Sequence, residues 1–386
     1  MAPITFFSIC VWAIFLPAAA PAQFFGQRQD NGIVTSNSLD EASGIAPSRR
    51  NSQVLWTHND SGDSPRIFAI STAAKVLAIY GISNAVNRDW EDICTGSING
   101  NPYIFIADIG DNLAQYDTLT IYKIPEPFVN ENQPIQNDIL TASETIRYRY
   151  PDGKRDAESL MFDKLTNDLY VVSKREDSVR VYRLPYPQPI QGVATAEKVA
   201  TLPLTMIVGG DISVNGTAIL LKNYSKVYYF RRLLGESIGE ALSKPPVEVS
   251  VYQQEPQGEA ICFDWAGAGF FTISEESMLQ IPAHLYYYRQ TAQDITEEMP
   301  KPSNIDTVMQ SDRALLINFT LASGCEATFL LMDMSAKVIT LGTTQRLQAG
   351  QQQVSYPTGD LSSGAYRLFL RVRDDIHSVK PVVIQR

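Results

Sequence analysis

Five acids recur at wide and similar intervals: Glu41 in LDEASGIA, Glu91 in RDWEDICTG, Glu158 in RDAESLMFD, Asp211 in GGDISVNG and Glu259 in QGEAICFD. The successive gaps are 50, 67, 53 and 48 residues. Each acid opens a short apolar run of strand character. A period near 50 with one acid per period is the mark of radial repetition, which would gather the acids into one ring. Carboxylates crowded in that way do not all ionise unless something compensates them, because like charges about 4–6 Å apart raise a pKa by units. A hard divalent cation such as Ca2+ is one compensation, since it takes oxygen ligands from several chain segments. Backbone N–H groups are the other, each acid capping its own tight loop, as the Ser43-Gly44 turn after Glu41 allows. Both remain open from the residues alone.

The elements that must position these acids follow from aligning the repeats. After each acid comes a β-rich run, a polar hairpin and a second run, as in VLWTHNDSGDSPRIFAI, LYVVSKREDSVRVYRL and AILLKNYSKVYYF. A closing strand ends most units, for example KVLAIYGI at 75–82 and ETIRYRY at 144–150. Four strands per unit predict an all-β fold, a β-propeller of five four-stranded blades, with a sixth, acid-free blade left open. The longest gap holds EPFVNENQPIQND (126–138), whose Pro and Asn content predicts a surface insertion. The last repeat shows only three strands, and QRQDNGIVTSN near the start of the chain is available to close it.

In such a fold the innermost strands line a channel, and the hairpins share a face with the five acids. Those hairpins carry His58, Asn59, Asp60 and Asp63, then Asp108, Asp111 and Asn112, then Lys174 and Arg175, then Lys222 and Asn223, then Glu275 and Glu276. NDSGD (59–63) and DIGDN (108–112) have the Asp, Asn and Gly alternation of calcium loops, although it is also ordinary hairpin chemistry. Arg88, Lys154, Arg155, Lys174, Arg175 and Lys222 bring positive charge to the same face. Arg88, Arg155, Lys174, Arg175 and Lys222 are the candidate ligand contacts, for a phosphate or carboxylate group. Their alternative role is to pair with the repeat acids. The candidate metal ligands are Glu41, Glu91, Glu158, Asp211 and Glu259.

Other chemistries have little support. The chain has three histidines, His58, His284 and His377, and only His58 falls on the acidic face. There is no G-x-S-x-G, no H-x-x-x-H and no paired cysteines, which argues against a nucleophilic triad and against zinc. An enzyme built from these residues would use metal-activated water, with Glu91 or Glu158 as the base and His58 as a further catalytic candidate.

Bulk properties narrow the partners. The 386 residues are 44% hydrophobic and 19% charged, with a net charge of −10 and a pI near 4.9. An acidic surface repels nucleic-acid phosphates and anionic lipid. Residues 1–22 read as an export signal, with an apolar run too short to span a bilayer and Ala20-Pro21-Ala22 as the cleavage site, although no Lys or Arg precedes the run. No later segment is long and apolar enough to form a transmembrane span. Cys94, Cys262 and Cys325 remain after the signal, and they read as small buried hydrophobes rather than a disulfide framework. The predicted organisation is a signal at 1–22, a propeller at 23–290, a polar linker at 291–304 and a β-sandwich at 305–386.

The strings ASGIA, LWTHNDSGD, IFAI, DWEDI, YIFIADIGDN and IYKIPEP, followed by RDAESLMFD, LYVVSKR and PQGEAI, resemble a group of uncharacterised secreted bacterial β-propeller proteins over residues 36–290. That group is more distantly similar to phytase-like and lactonase-like propellers. This likeness implies Ca2+ on channel acids and a calcium-dependent hydrolase of phosphate or carboxylate esters. The tail, with ATFLLMDMSAKVI, DLSSGAYRLFLRV and VKPVVIQR, resembles the C-terminal sorting domain of type IX secretion substrates, although MSAK stands where that family has an LLGR-like turn and its opening Asn-Pro is missing. It implies a Gram-negative source of the Bacteroidetes type, with the type IX machinery as partner and a secreted or surface-attached product; the expected state is a monomer. The leading expectation is a binding module that presents an acidic, calcium-loaded mouth to a small molecule or glycan. The alternatives are the hydrolase and a structural interaction platform.

Overall fold

The computed structural model describes residues 24–385 except 35, 37, 130–134, 234, 277–281, 292–303, 312, 322–324, 334–336, 349 and 373–374. The export signal expected at 1–22 and nearly all of the linker expected at 291–304 lie outside the described residues. The fold is all-β. In chain order the strands of the larger part are β1 (Gln29–Ile33), β2 (Ala42–Pro47), β3 (Val54–Asn59), β4 (Arg66–Ser71), β5 (Val76–Ile82), β6 (Trp90–Ile98), β7 (Asn101–Asp108), β8 (Leu119–Pro125), β9 (Gln136–Leu140) and β10 (Glu144–Arg149). They continue as β11 (Ala157–Phe162), β12 (Leu169–Ser173), β13 (Val179–Leu184), β14 (Ala194–Thr195), β15 (Glu197–Leu202), β16 (Ile207–Ile212), β17 (Ala218–Asn223), β18 (Val227–Arg231), β19 (Val247–Glu248), β20 (Gly258–Phe263), β21 (Gly269–Ser274) and β22 (His284–Arg289). A short helix, α1 (Ile238–Leu242), is held by a capping box between Ser237 and Glu240.

These strands form five sheets, ordered β2-β3-β4-β5-β9, β6-β7-β8-β10-β14 (read inward to outward), β11-β12-β13-β15, β16-β17-β18-β19 and β20-β21-β22-β1. The fifth sheet takes its outer strand from the start of the chain, with Gln29 opposite Tyr287. The insertion expected at 126–138 runs into β9, which lies parallel to β5 as an extra outer strand of the first sheet. The first strands of the five sheets neighbour one another in a cycle: β2 meets β6, β6 meets β11, β11 meets β16, β16 meets β20, and β20 meets β2.

Burial explains the sequence of these strands. β2, β11, β16 and β20 are buried along their whole length, so they are apolar or small apart from the acids Glu158, Asp211 and Glu259. Outer strands such as β10 alternate buried and exposed residues and carry charge on the open face. The cores lie between successive sheets. Trp56 and Trp90 fill the gap between the first and second, and Phe105 stacks on Phe162 between the second and third at 5.4 Å. Burying each such ring contributes about 2 kcal/mol relative to exposure. Ala42, Ile45, Cys262 and Phe271 join the fifth sheet to the first.

The tail has two further sheets. Its strands are β23 (Asn304–Gln310), β24 (Ala314–Leu321), β25 (Cys325–Asp333), β26 (Val338–Leu347), β27 (Gly350–Pro357), β28 (Gly364–Val372) and β29 (Asp375–Ile384), ordered β23-β24-β27 and β26-β25-β28-β29. β24 alternates half-buried and buried residues, and Leu315, Ile317 and Phe319 meet Phe329, Leu331, Leu368 and Leu370 of the other sheet. The outer face of that second sheet sets Leu330, Met332 and Phe369 against Leu165, which lies in the loop after β11.

Candidate functional site

One irregularity is common to all five first strands. Pairing with the second strand slips between Ala42 and Gly44, between Trp90 and Asp92, between Ala157 and Ser159, between Ile207 and Gly209, and between Gly258 and Ala260. The extra residue of each bulge is therefore Ser43, Glu91, Glu158, Val208 or Glu259. A bulge bends the strand and re-aims the unpaired residue, a device often found beside binding sites. Glu91, Glu158 and Glu259 share this position and are buried.

This register corrects the expected ring of five equivalent acids. Glu41 lies two residues before its bulge, is exposed, and sits near Asp40 and Asp63. Asp211 lies three residues after its bulge, where it accepts the Phe263 amide at 2.9 Å and the Ile212 amide at 2.8 Å. Intervals near 50 residues locate a repeat but do not fix the phase to one residue when every first strand carries a bulge.

Two acids not chosen from the sequence share Glu41's position, Asp89 and Asp156. The signal for them was the repeated R-D-x-E of Arg88–Glu91 and Arg155–Glu158. Oxygens of Asp60, Asp89 and Glu91 lie within 4.8 Å of one another, as do those of Glu91, Asp156 and Glu158. Glu91 belongs to both groups, which draw on the first three sheets.

The two groups differ in how their charge is met. Lys174 pairs with Glu158 and donates to Tyr224 at 3.0 Å, and the Tyr224 hydroxyl donates to Glu259 at 2.7 Å. Arg175 Nε meets Asp156 at 2.6 Å. Glu158 Oε2, although buried, has no hydrogen-bond partner among the described residues. The Glu91 carboxylate has neither a hydrogen-bond donor nor an ion pair among the described residues. Burial, then Glu158, Asp60, Asp89 and Glu259, push its carboxyl well above the ordinary range. Burial, with Glu259, Asp89 and Glu41, lifts Asp60 to about 6. Burial and the charges of Glu259 and Asp60 lift Glu275 to about 8.

The backbone between β7 and β8 closes the first group. A Cβ on Gly110 would stand 2.2 Å from Glu91 Oε1 and 2.4 Å from Asp89 Cγ, so a side chain there would have to displace one of these carboxylates. Arg88 holds this turn through the carbonyls of Asp108 (3.1 Å) and Gly110 (3.2 Å). The other residues of the two calcium-like loops are occupied locally. Asp63 accepts from Arg66 and Asn59, Asp108 from the Asp89 amide, and Asp111 from the amides of Gln115 and Tyr116.

The basic candidates are also engaged within the chain. Besides Arg88, Lys174 and Arg175, Arg155 pairs with Glu176 and Asp152. Lys222 is buried and donates to the Gly258 carbonyl. His58 is buried edge-on to Trp90 at 5.7 Å, with Nδ1 2.9 Å from the Asn59 carbonyl, and burial pushes it down to about 4. It is a neutral residue of the wall, and no hydrogen bond joins its ring to a carboxylate among the described residues.

No family model matches the chain, and no curated protein matches it. A crystal structure of a protein from Lactobacillus plantarum is similar over 81% of this chain and 87% of that one, at 13% identity and a TM-score of 0.32.

Proposed function

We infer that the five sheets are the blades of a β-propeller exported to the cell surface or beyond it. The carboxylate face holds a hard divalent cation, with Ca2+ as first choice, and uses it to bind a small anionic or hydroxyl-rich ligand such as a glycan. Asp60, Asp89 and Glu91 would hold the cation, and Asp156 and Glu158 stand beside it. The donor set fits, because it is all oxygen and anionic and comes from several segments. When bound, the cation would supply charge to keep these groups ionised and open coordination positions for ligand oxygens. The protein's part is to fix the carboxylates on bulges and to exclude cationic side chains from Glu91. The type IX passage implied by the tail belongs to the same proposal.

The observation that carries this reading is the placement of Glu91, buried, shared by both groups and faced by four other acids. The Glu158 oxygen without a partner among the described residues and the close approach of Gly110 to Glu91 support it. Equilibrium dialysis against Ca2+ tests it. The purified chain should bind Ca2+ saturably and melt at a higher temperature with it, and Glu91→Gln should weaken binding at least about tenfold, the scale of one lost charged ligand. Absence of saturable binding in the wild type would refute it.

A further inference from the structure

Two of the five first strands are followed by a basic residue. Arg49 follows Ser43 by six residues and Lys164 follows Glu158 by six, so the two hold one register on the first and third sheets. The equivalent residues on the other sheets are Ser97, Val214 and Trp265. Arg49 Nε donates to Thr95 Oγ1 at 3.1 Å, and Lys164 Nζ donates to the Ile212 carbonyl at 3.2 Å. Thr95 and Ile212 are themselves equivalent, each four residues past its bulge, on the second and fourth sheets. Both cations therefore reach onto the next first strand at one depth of the cycle, away from the carboxylate groups.

The acids nearest these cations are already engaged. The Glu126 carboxylate accepts the Arg49 amide at 3.0 Å, the Trp56 indole at 2.7 Å and the Ser48 hydroxyl. Asp211 serves two backbone amides. Neither cation forms an ion pair among the described residues, and both side chains are half-buried. Burial and the charge of Arg49 depress the Lys164 ammonium to about 7, while the charge of Asp211 acts the other way.

We propose that Arg49 and Lys164 form a binding site for a small oxyanion of the phosphate type. Arg49 offers a planar fork of donors and Lys164 a mobile point charge, the two modes by which proteins hold such ions. Arg367 of the tail donates to the Lys164 carbonyl, and the tail's apolar face covers Leu165. The tail thus packs against the loop that carries Lys164.

Calorimetric titration of the full chain with inorganic phosphate, in EDTA and chloride-free buffer at about pH 6, tests this. Saturable binding is expected, with sulfate competing and acetate competing poorly. Arg49→Gln and Lys164→Gln should each weaken it about tenfold, whereas Lys164→Arg should stay within about threefold of the wild type, because the charge is kept. If a glutamine variant does not fold by circular dichroism, Lys164→Arg and Arg49→Lys carry the comparison, and both should retain binding. The proposal is overturned if the wild type shows no saturable binding. It is equally overturned if a folded Arg49→Gln/Lys164→Gln protein binds as well as wild type, or if binding needs added Ca2+, which would place the ion on the carboxylate face.

Discussion

The Asp92 carboxylate accepts the amide of Leu160 at 2.8 Å and so ties the first strand of the second sheet to that of the third. Its other oxygen takes the Ile93 amide, also at 2.8 Å. First strands are sheet edges, and their inward N–H and C=O groups have no ladder partner. Neighbouring sheets supply what is missing. Asp211 takes the Phe263 amide, while Ser43 and Thr95 donate to the carbonyls of Glu91 (2.8 Å) and Pro47 (2.7 Å).

Asp92→Ala should therefore strand the Leu160 amide in a buried site. The expected loss is about 1–3 kcal/mol in urea unfolding, the usual cost of an unsatisfied buried group. Ca2+ affinity should change little, since Asp92 belongs to neither carboxylate group. A loss within experimental error would show that the inner edges need no such pins.

The pH dependence of the cation-free protein has a definite sign. Asp60, Glu275 and Glu91 all titrate above their ordinary values in the fold. Between the unfolded and folded pKa the native state holds more protons, so stability falls as pH rises through that window. In EDTA the melting temperature should drop from about pH 5 to about pH 8, the range bounded by these shifts. Ca2+ favours the ionised forms and should raise the melting temperature more at the upper pH than at the lower. Calorimetry showing the opposite order would contradict the carboxylate assignment.

Gly110→Ala tests the closure of the cation site without altering any charge. The added methyl must displace Glu91 or Asp89. Ca2+ binding should weaken about tenfold or more, while the cost to stability in EDTA stays about 1–3 kcal/mol, as for overpacking elsewhere. Unchanged dialysis curves would separate the glycine from the site.

The repeat was legible because β-branched and aromatic runs alternate with polar hairpins, and the phase of the acids was not. Phase depends on a one-residue bulge, which leaves no mark in an interval of 50 or 67 residues. Comparing the residues just before each strand would have helped, since R-D-x-E at 88–91 and 155–158 places Asp89 and Asp156 beside Glu91 and Glu158. The roles of the bases were half legible. Lys174 and Arg175 were expected either to meet ligand or to pair with acids, and their partners, Glu158 and Asp156, are visible only once the hairpin after β12 is folded over β11. His58 misled because a hairpin position does not reveal that Gly44 and Trp90 enclose the ring.

The fifth sheet waits for an early strand, β1. β1 precedes the other described strands in the chain, yet its partner β22 follows more than 250 residues later, Gln29 meeting Tyr287. Until the two meet, β22 is an open edge able to recruit other chains. The cycle can close only after the whole circuit has been made, so its final step carries the long loop-closure delay of distant contacts. A chain trimmed beyond Ile33 would leave that edge open permanently, and self-association would replace closure.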